Sequence, residues 1–232
     1  MKALLITLLL AIALKGAGHA QTTSSVSGPE IDSGEREVEY RLGAGFGDTI
    51  DDAALAHRLH IQSAVSESLR WRLRAFWRDP DNGSAALDHV QAELHWQWIE
   101  VAQNGYASGF RFNVRASQRA GDADEIGVTW LNQWQPAAAW RLRALASVDH
   151  ELGADAAHDW MLETRIGVRR EVTEQLHLSL ESFNDFSNGS HQIGPVISGE
   201  LFNSVDWATG VLFGLSEGAD DVDLMVRLGR VF

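Results

Sequence analysis

The sequence predicts an all-β chain, a single twelve-stranded antiparallel transmembrane β-barrel, and three observations carry that prediction. From Glu35 onward, segments of about ten to twelve residues alternate apolar with polar at a period of two, as strands do between lipid and an aqueous bore. All nine tryptophans, and Phe232 with them, fall on the apolar parity of their segments. Longer, mostly acidic connections alternate with short ones along the chain.

Two segments precede the strands. Residues 1–20 read as a signal peptide: Met1-Lys2 is a short positive start, Ala3 to Leu14 an apolar run too short to span a bilayer as a helix, and Gly18-His19-Ala20 a small-x-small cleavage site. Residues 21–34 are polar, rich in Ser, Thr, Gly and Pro, and read as a flexible periplasmic lead-in to a barrel domain over 35–232. Cleavage after Ala20 removes Lys2 and Lys15, the only lysines. That leaves seventeen arginines against 32 acidic residues, a net charge of −15. Such a charge argues against nucleic acid as a partner. The chain has no cysteine, so no disulfide supports the fold.

In the first strand, about Glu35 to Phe46, Val38, Tyr40, Leu42 and Phe46 oppose Glu37, Glu39 and Arg41. The second, about Ala53 to Val65, sets Leu55, Leu59 and Ile61 against Arg58, His60 and Gln62. The third, Leu69 to Arg78, alternates most cleanly, with Trp71, Leu73 and Trp77 against Arg70, Arg72, Arg74 and Arg78. The fourth places Val90, Leu94, Trp96 and Trp98 opposite His89, Gln91, Glu93, His95 and Gln97. The fifth opposes Tyr106, Phe110, Phe112 and Val114 to Arg111, Asn113 and Arg115, and the sixth opposes Ile126, Val128, Trp130 and Trp134 to Thr129 and Gln133.

The seventh strand sets Trp140, Leu142 and Val148 against Arg141, Arg143 and Ser147, and the eighth sets Trp160, Leu162, Ile166 and Val168 against Glu163, Arg165 and Arg169. The ninth opposes Leu176, Leu178 and Leu180 to His177, Ser179 and Glu181. The tenth carries Pro195, which has no N–H to give a ladder and predicts a bulge or a local loss of pairing. The eleventh has Val205, Trp207, Val211 and Phe213 against Asp206, and the twelfth has Val222, Leu224, Val226, Leu228 and Phe232 against Asp223 and Arg227.

Alternation alone does not say which face is inside, since a soluble barrel or sandwich alternates too. The connections decide it in part: 47–52, 79–86, 118–124, 150–157, 184–190 and 216–221 are long, whereas 66–68 and 202–204 are short, the asymmetry of outer loops and periplasmic turns. On that topology the indoles cluster near strand ends, where a membrane interface holds them. Finally, the chain ends Leu228-Gly229-Arg230-Val231-Phe232, which resembles the terminal strand of Gram-negative outer-membrane barrel proteins, although Arg230 stands where that motif often has an apolar residue. The resemblance implies the outer membrane as location, the lipid bilayer and lipopolysaccharide as surroundings, and recognition of the Phe232-ended strand by the barrel-assembly machinery.

Function then rests on the polar parity. It carries thirteen arginines, among them Arg70, Arg72, Arg74, Arg78, Arg111, Arg115, Arg141, Arg143, Arg165 and Arg169, the candidate solute-binding residues of the bore. Guanidinium forks match carboxylate and phosphate, so facing tracks of them suit anionic solutes. The design is similar to that of small twelve-stranded porins for acidic oligosaccharides. The expected function is therefore a channel for passive passage of small polar, anionic solutes. The competing expectation is a non-conducting structural or surface-interaction barrel, its arginines paired with Glu37, Glu39, Glu93, Glu163, Glu181 and their like.

An enzyme is the third reading, because outer-membrane phospholipase A places a Ser/His pair on its lipid-facing wall. Here His57 has no obvious serine beside it, no hydrolase or phosphate-loop motif occurs, and no enzyme activity is expected. No metal or cofactor is expected either. His89 and His95 would lie about 20 Å apart along one strand, which leaves His95 with Glu93 as the best pair for a metal.

Overall fold

The computed structural model describes residues 23, 25–47, 54–79, 85–100, 105–119, 122–153, 160–202 and 205–232; the expected signal peptide lies outside the described residues. Twelve strands follow in order: β1 (Arg36–Phe46), β2 (Ala54–Ser66), β3 (Leu69–Arg78), β4 (Ala86–Ile99), β5 (Tyr106–Ser117), β6 (Asp124–Ala137), β7 (Trp140–Leu152), β8 (Trp160–Thr173), β9 (Leu176–Asp185), β10 (Ser190–Leu201), β11 (Val205–Gly214) and β12 (Val222–Val231). Each pairs antiparallel with its chain neighbours, and β1 pairs with β12 from Glu37↔Val231 to Phe46↔Val222. Closure leaves no open sheet edge, which is what lets a sheet stand in hydrocarbon.

The two faces sort as the alternation requires. Val38, Tyr40, Leu73, Leu94, Val114, Trp130, Trp134, Trp160 and Leu180 are exposed on the outer wall. Their chain neighbours Glu39, Arg41, Gln62, Glu93 and Gln133 point inward and are at most 5% exposed. An apolar band of this extent is incompatible with water and requires lipid around it.

Three details position the interior. The β10–β11 pairing skips Gly194 and Pro195, running from Ile193↔Phe213 to Val196↔Gly210, while on the β9 side both residues keep their partners. That is the one-sided loss expected of a residue without an N–H. Connections 67–68, 138–139 and 174–175 are two-residue turns, and most on the opposite rim are longer; the exception is 100–105, a long connection on the short-turn rim. Finally, several large apolar side chains break the parity rule and face inward, and four of them, Leu131, Leu145, Phe183 and Leu212, form one buried cluster.

Candidate functional site

Those four inward side chains are covered by the chain's own lead-in. Before β1 the backbone reverses at 32–35, where Gly34 takes a φ of 79° and Glu35 N–H donates to the Asp32 carbonyl at 3.1 Å. The left-handed φ favours glycine, and it turns residues 25–31 back into the bore. Ile31 N–H donates to Gln97 Oε1 (3.0 Å), and Gln133 Nε2 donates to Glu30 Oε1 (2.5 Å). Val26, only 6% exposed, packs on Leu131, Leu145, Phe183 and Leu212. Farther in, Arg41 Nη1 donates to the Thr23 carbonyl at 3.1 Å.

Composition predicts a flexible periplasmic lead-in over 21–34; of that stretch residues 23 and 25–34 are described, and 25–31 are seated on wall side chains. The stretch is polar on average, yet its few apolar residues, Val26 and Ile31, are both buried. The signal available in the sequence was two-part: isolated apolar residues in the lead-in, and apolar residues at 131, 145, 183 and 212 on the wrong parity of their strands.

The arginines of the wall are not equivalent. Glu93 on β4 is approached by Arg74 (2.7 Å), Arg72 (3.3 Å) and Arg111 (3.6 Å), and Glu39 on β1 by Arg41, Arg58 (3.5 Å) and Arg227 (3.6 Å). Two buried carboxylates thus serve six guanidinium groups. Arg70 reaches Glu35 at 3.5 Å and His95 Nδ1 at 2.9 Å. Arg78 and Arg115 are more open and meet Asp88 (3.9 Å) and Glu125 (2.8 Å), and Arg165 meets Glu163 (2.6 Å). Arg141 and Arg143 face Glu30 of the inner segment at 3.7 and 3.5 Å. Arg169 lines a small cavity beside Val26 and Glu181.

The main cavity, about 580 Å³, opens toward the rim with the longer loops, and Thr23 and Phe183 are among its lining residues. Of the expected tract Arg70, Arg72 and Arg74, only Arg74 lines it. One side presents Arg58, Arg74, Arg78, Arg111 and Arg115 from β2, β3 and β5, with Asp88 and Glu93 of β4 among them; the other presents Glu125, Asp149, Glu151, Glu163 and Asp185 from β6 to β9, with Arg165 of β8 among them. Beside the inner segment, the second cavity is about 40 Å³, room for no more than a few waters. The bore is therefore a wide, charged vestibule that narrows where the inner segment crosses it.

The metal and enzyme readings find little support in this geometry. Glu93 is held by three arginines and His95 by Arg70, so their pair is committed. A second group, Glu37, Glu39 and His60, brings its ligand atoms within 4.8 Å of one another, but Arg41 and Arg58 already supply the positive charge at Glu39. On the lipid side, His57 Nδ1 meets the Tyr40 hydroxyl at 2.6 Å, not a serine. Ser108, also on the outer wall, accepts from Trp130 Nε1 (3.0 Å) and donates to the Leu131 carbonyl (3.1 Å), so its hydroxyl is engaged structurally.

No family model matches the chain, and no curated protein matches it by sequence. Solved structures do match in fold. An outer membrane channel from Pseudomonas putida F1 superposes with a TM-score of 0.71 at 9% identity, over 90% of this chain and 100% of that one. Two porins follow the same architecture: KdgM (TM-score 0.62, 9% identity, 84% and 99% of the two chains) and NanC (0.60, 12%, 84% and 98%). KdgM has also been solved in complex with disordered oligogalacturonate. Outer membrane phospholipase A from Escherichia coli is less similar, with a TM-score of 0.50 at 10% identity. The fold is that of outer-membrane β-barrels, and the structures most like it here are channels.

Proposed function

We propose that this chain is an outer-membrane channel for small polar solutes, without enzyme activity, and that its vestibule prefers anions. The observation that carries the reading is the vestibule wall, where five arginines line one side of a cavity of about 580 Å³. Three of the five, Arg58, Arg74 and Arg111, belong with Arg41, Arg72 and Arg227 to the six guanidinium groups that share Glu39 and Glu93, so that side keeps an excess of positive charge that draws anions into a low-dielectric cleft. The acidic side opposite favours solutes that carry a donor-rich or cationic end as well. Lipopolysaccharide around the outer rim, and the assembly machinery acting on the strand that ends in Phe232, complete the expected partners.

The test is conductance in a planar bilayer with unequal salt on the two sides. The parent should show anion preference. Arg78→Ser with Arg115→Ser should reduce it by about two- to threefold, since both side chains are partly open to the vestibule and their loss leaves the clusters at Glu39 and Glu93 intact. A specific observation favours a second reading, a closed barrel: the inner segment crosses the bore. Absent conductance both in the parent and after deletion of residues 25–32 would establish that reading and remove the channel.

A further inference from the structure

We propose that residues 25–31 rest in a two-part site for an amphipathic carboxylate, and that such a solute opens the bore by taking the places of Val26 and Glu30. The proposal rests on the reading of the bore as a solute path and names the class of solute.

The apolar half of the site is the pocket of Leu131, Leu145, Phe183 and Leu212, all at most 8% exposed under Val26. On the inner wall of an aqueous bore these residues lack a role in passing inorganic ions or sugars, because uncovered they would face water. Gly167 makes the room: a Cβ built there lies 3.2 Å from Val26 Cβ. The polar half is Arg141 with Arg143, a pair of guanidinium groups about one carboxylate. Phe183 belongs to both the pocket and the vestibule lining, so a solute entering from outside meets the apolar half directly.

The inner segment is held in a way that permits exchange. Glu30 lies 3.5 Å from Arg143 and 3.7 Å from Arg141, and its side chain is 30% exposed, whereas Glu93 in the wall is 1% exposed and grips Arg74 at 2.7 Å. A long, partly hydrated ion pair is weak. The other holds are contacts with wall side chains: Gln133 Nε2 to Glu30 Oε1 at 2.5 Å, Ile31 N–H to Gln97 Oε1 at 3.0 Å, Val26 N–H to Glu181 Oε2 at 3.4 Å and Arg143 to the Val26 carbonyl at 3.4 Å; the two at Glu30 and Ile31 are the firm ones, and an incoming carboxylate can accept from Gln133 in place of Glu30. The segment adds no rung to the barrel ladder, so it can leave without unpairing a strand. A carboxylate joined to a short alkyl chain reproduces both contacts at once, and neither acetate nor a hydroxylated carboxylate does.

The absence of native cysteine makes a direct test available. In the double variant Val26→Cys/Gly167→Cys the two Cβ atoms start 3.2 Å apart, and an outward shift of a few tenths of an ångström by the inner segment brings them to disulfide spacing. Oxidation should lock the segment in place, and hexanoate should slow the cross-link at a concentration about tenfold below that needed with acetate or gluconate, the difference being buried methylene groups. Heat-dependent gel mobility checks that the barrel has folded. Should that pair fail to fold, Val26→Cys alone serves: its shielded thiol should react with a maleimide faster in hexanoate than in acetate or gluconate. Equal effects of the three carboxylates, or none from any, overturn the proposal. Hexanoate protection in a barrel that never conducts removes the channel reading and leaves the site standing; conductance without hexanoate protection removes the site and leaves the channel.

Discussion

The two sides of the inner wall are built from the same residue types and behave differently. Along β1 to β5 the charged side chains at mid-depth are packed to near dryness, with Glu39 and Glu93 each surrounded by three guanidinium groups, while Arg78 and Arg115 near the rim stay open. Along β6 to β9 the carboxylates Glu125, Asp149, Glu163 and Asp185 border open space, and an apolar pocket replaces the ion pairs at mid-depth. The difference teaches that counting arginines on a parity does not locate a solute path. Guanidinium groups gathered at Glu39 and Glu93 act as mortar, and the space a solute can use lies between their inner surface, with Arg78 and Arg115, and the second wall.

Substitutions on the two sides should therefore diverge. The largest effect is expected at Glu93→Ala, which leaves three buried guanidinium groups without their counter-charge and should destabilise the barrel by about 3–5 kcal/mol. Urea unfolding read by gel mobility measures it; a neutral result would break the contrast between the walls. Next comes Leu145→Ala in the second wall, with about 2–4 kcal/mol from the lost apolar contact and the cavity left under Val26. Unlike the first, it should also raise open-channel conductance, because the seat of the inner segment is loosened. On the outer wall, Tyr40→Phe removes the hydroxyl beside His57 and should shift stability by about 1 kcal/mol with conductance unchanged. The smallest change in stability is expected for Glu30→Gln, below about 1 kcal/mol, because the pair is half in water. Its effect belongs in the gating record instead, as longer open times in single-channel traces.

The barrel was legible in the sequence because lipid tolerates no charge. Arg70, Arg72 and Arg74 could only alternate with Trp71 and Leu73 if one side was greased, and β3 runs from Leu69 to Arg78 as that alternation predicts. Pro195 announced the interrupted β10–β11 pairing for an equally local reason. The site was less legible, since its determinants are relations between strands far apart in sequence. Nothing local in Leu131 or Phe183 distinguishes an inward apolar residue with a purpose from an imperfect alternation. Likewise, that Glu93 would gather arginines from both β3 and β5 follows from register, Arg72↔Glu93 and Glu93↔Asn113, which a single sequence does not print. The lead-in was hidden by its average composition, because two buried residues, Val26 and Ile31, do not change the character of a polar stretch.

The order of strands also carries a kinetic consequence. Eleven of the twelve strand junctions join neighbours in sequence and can zip locally, whereas the seam of Glu37 with Val231 brings the two ends of the domain together. Loop-closure entropy makes that seam the slow event of assembly. Residues 25–31 lie immediately upstream of it, so the same closure that completes the wall brings the leader to the mouth of the bore it occupies.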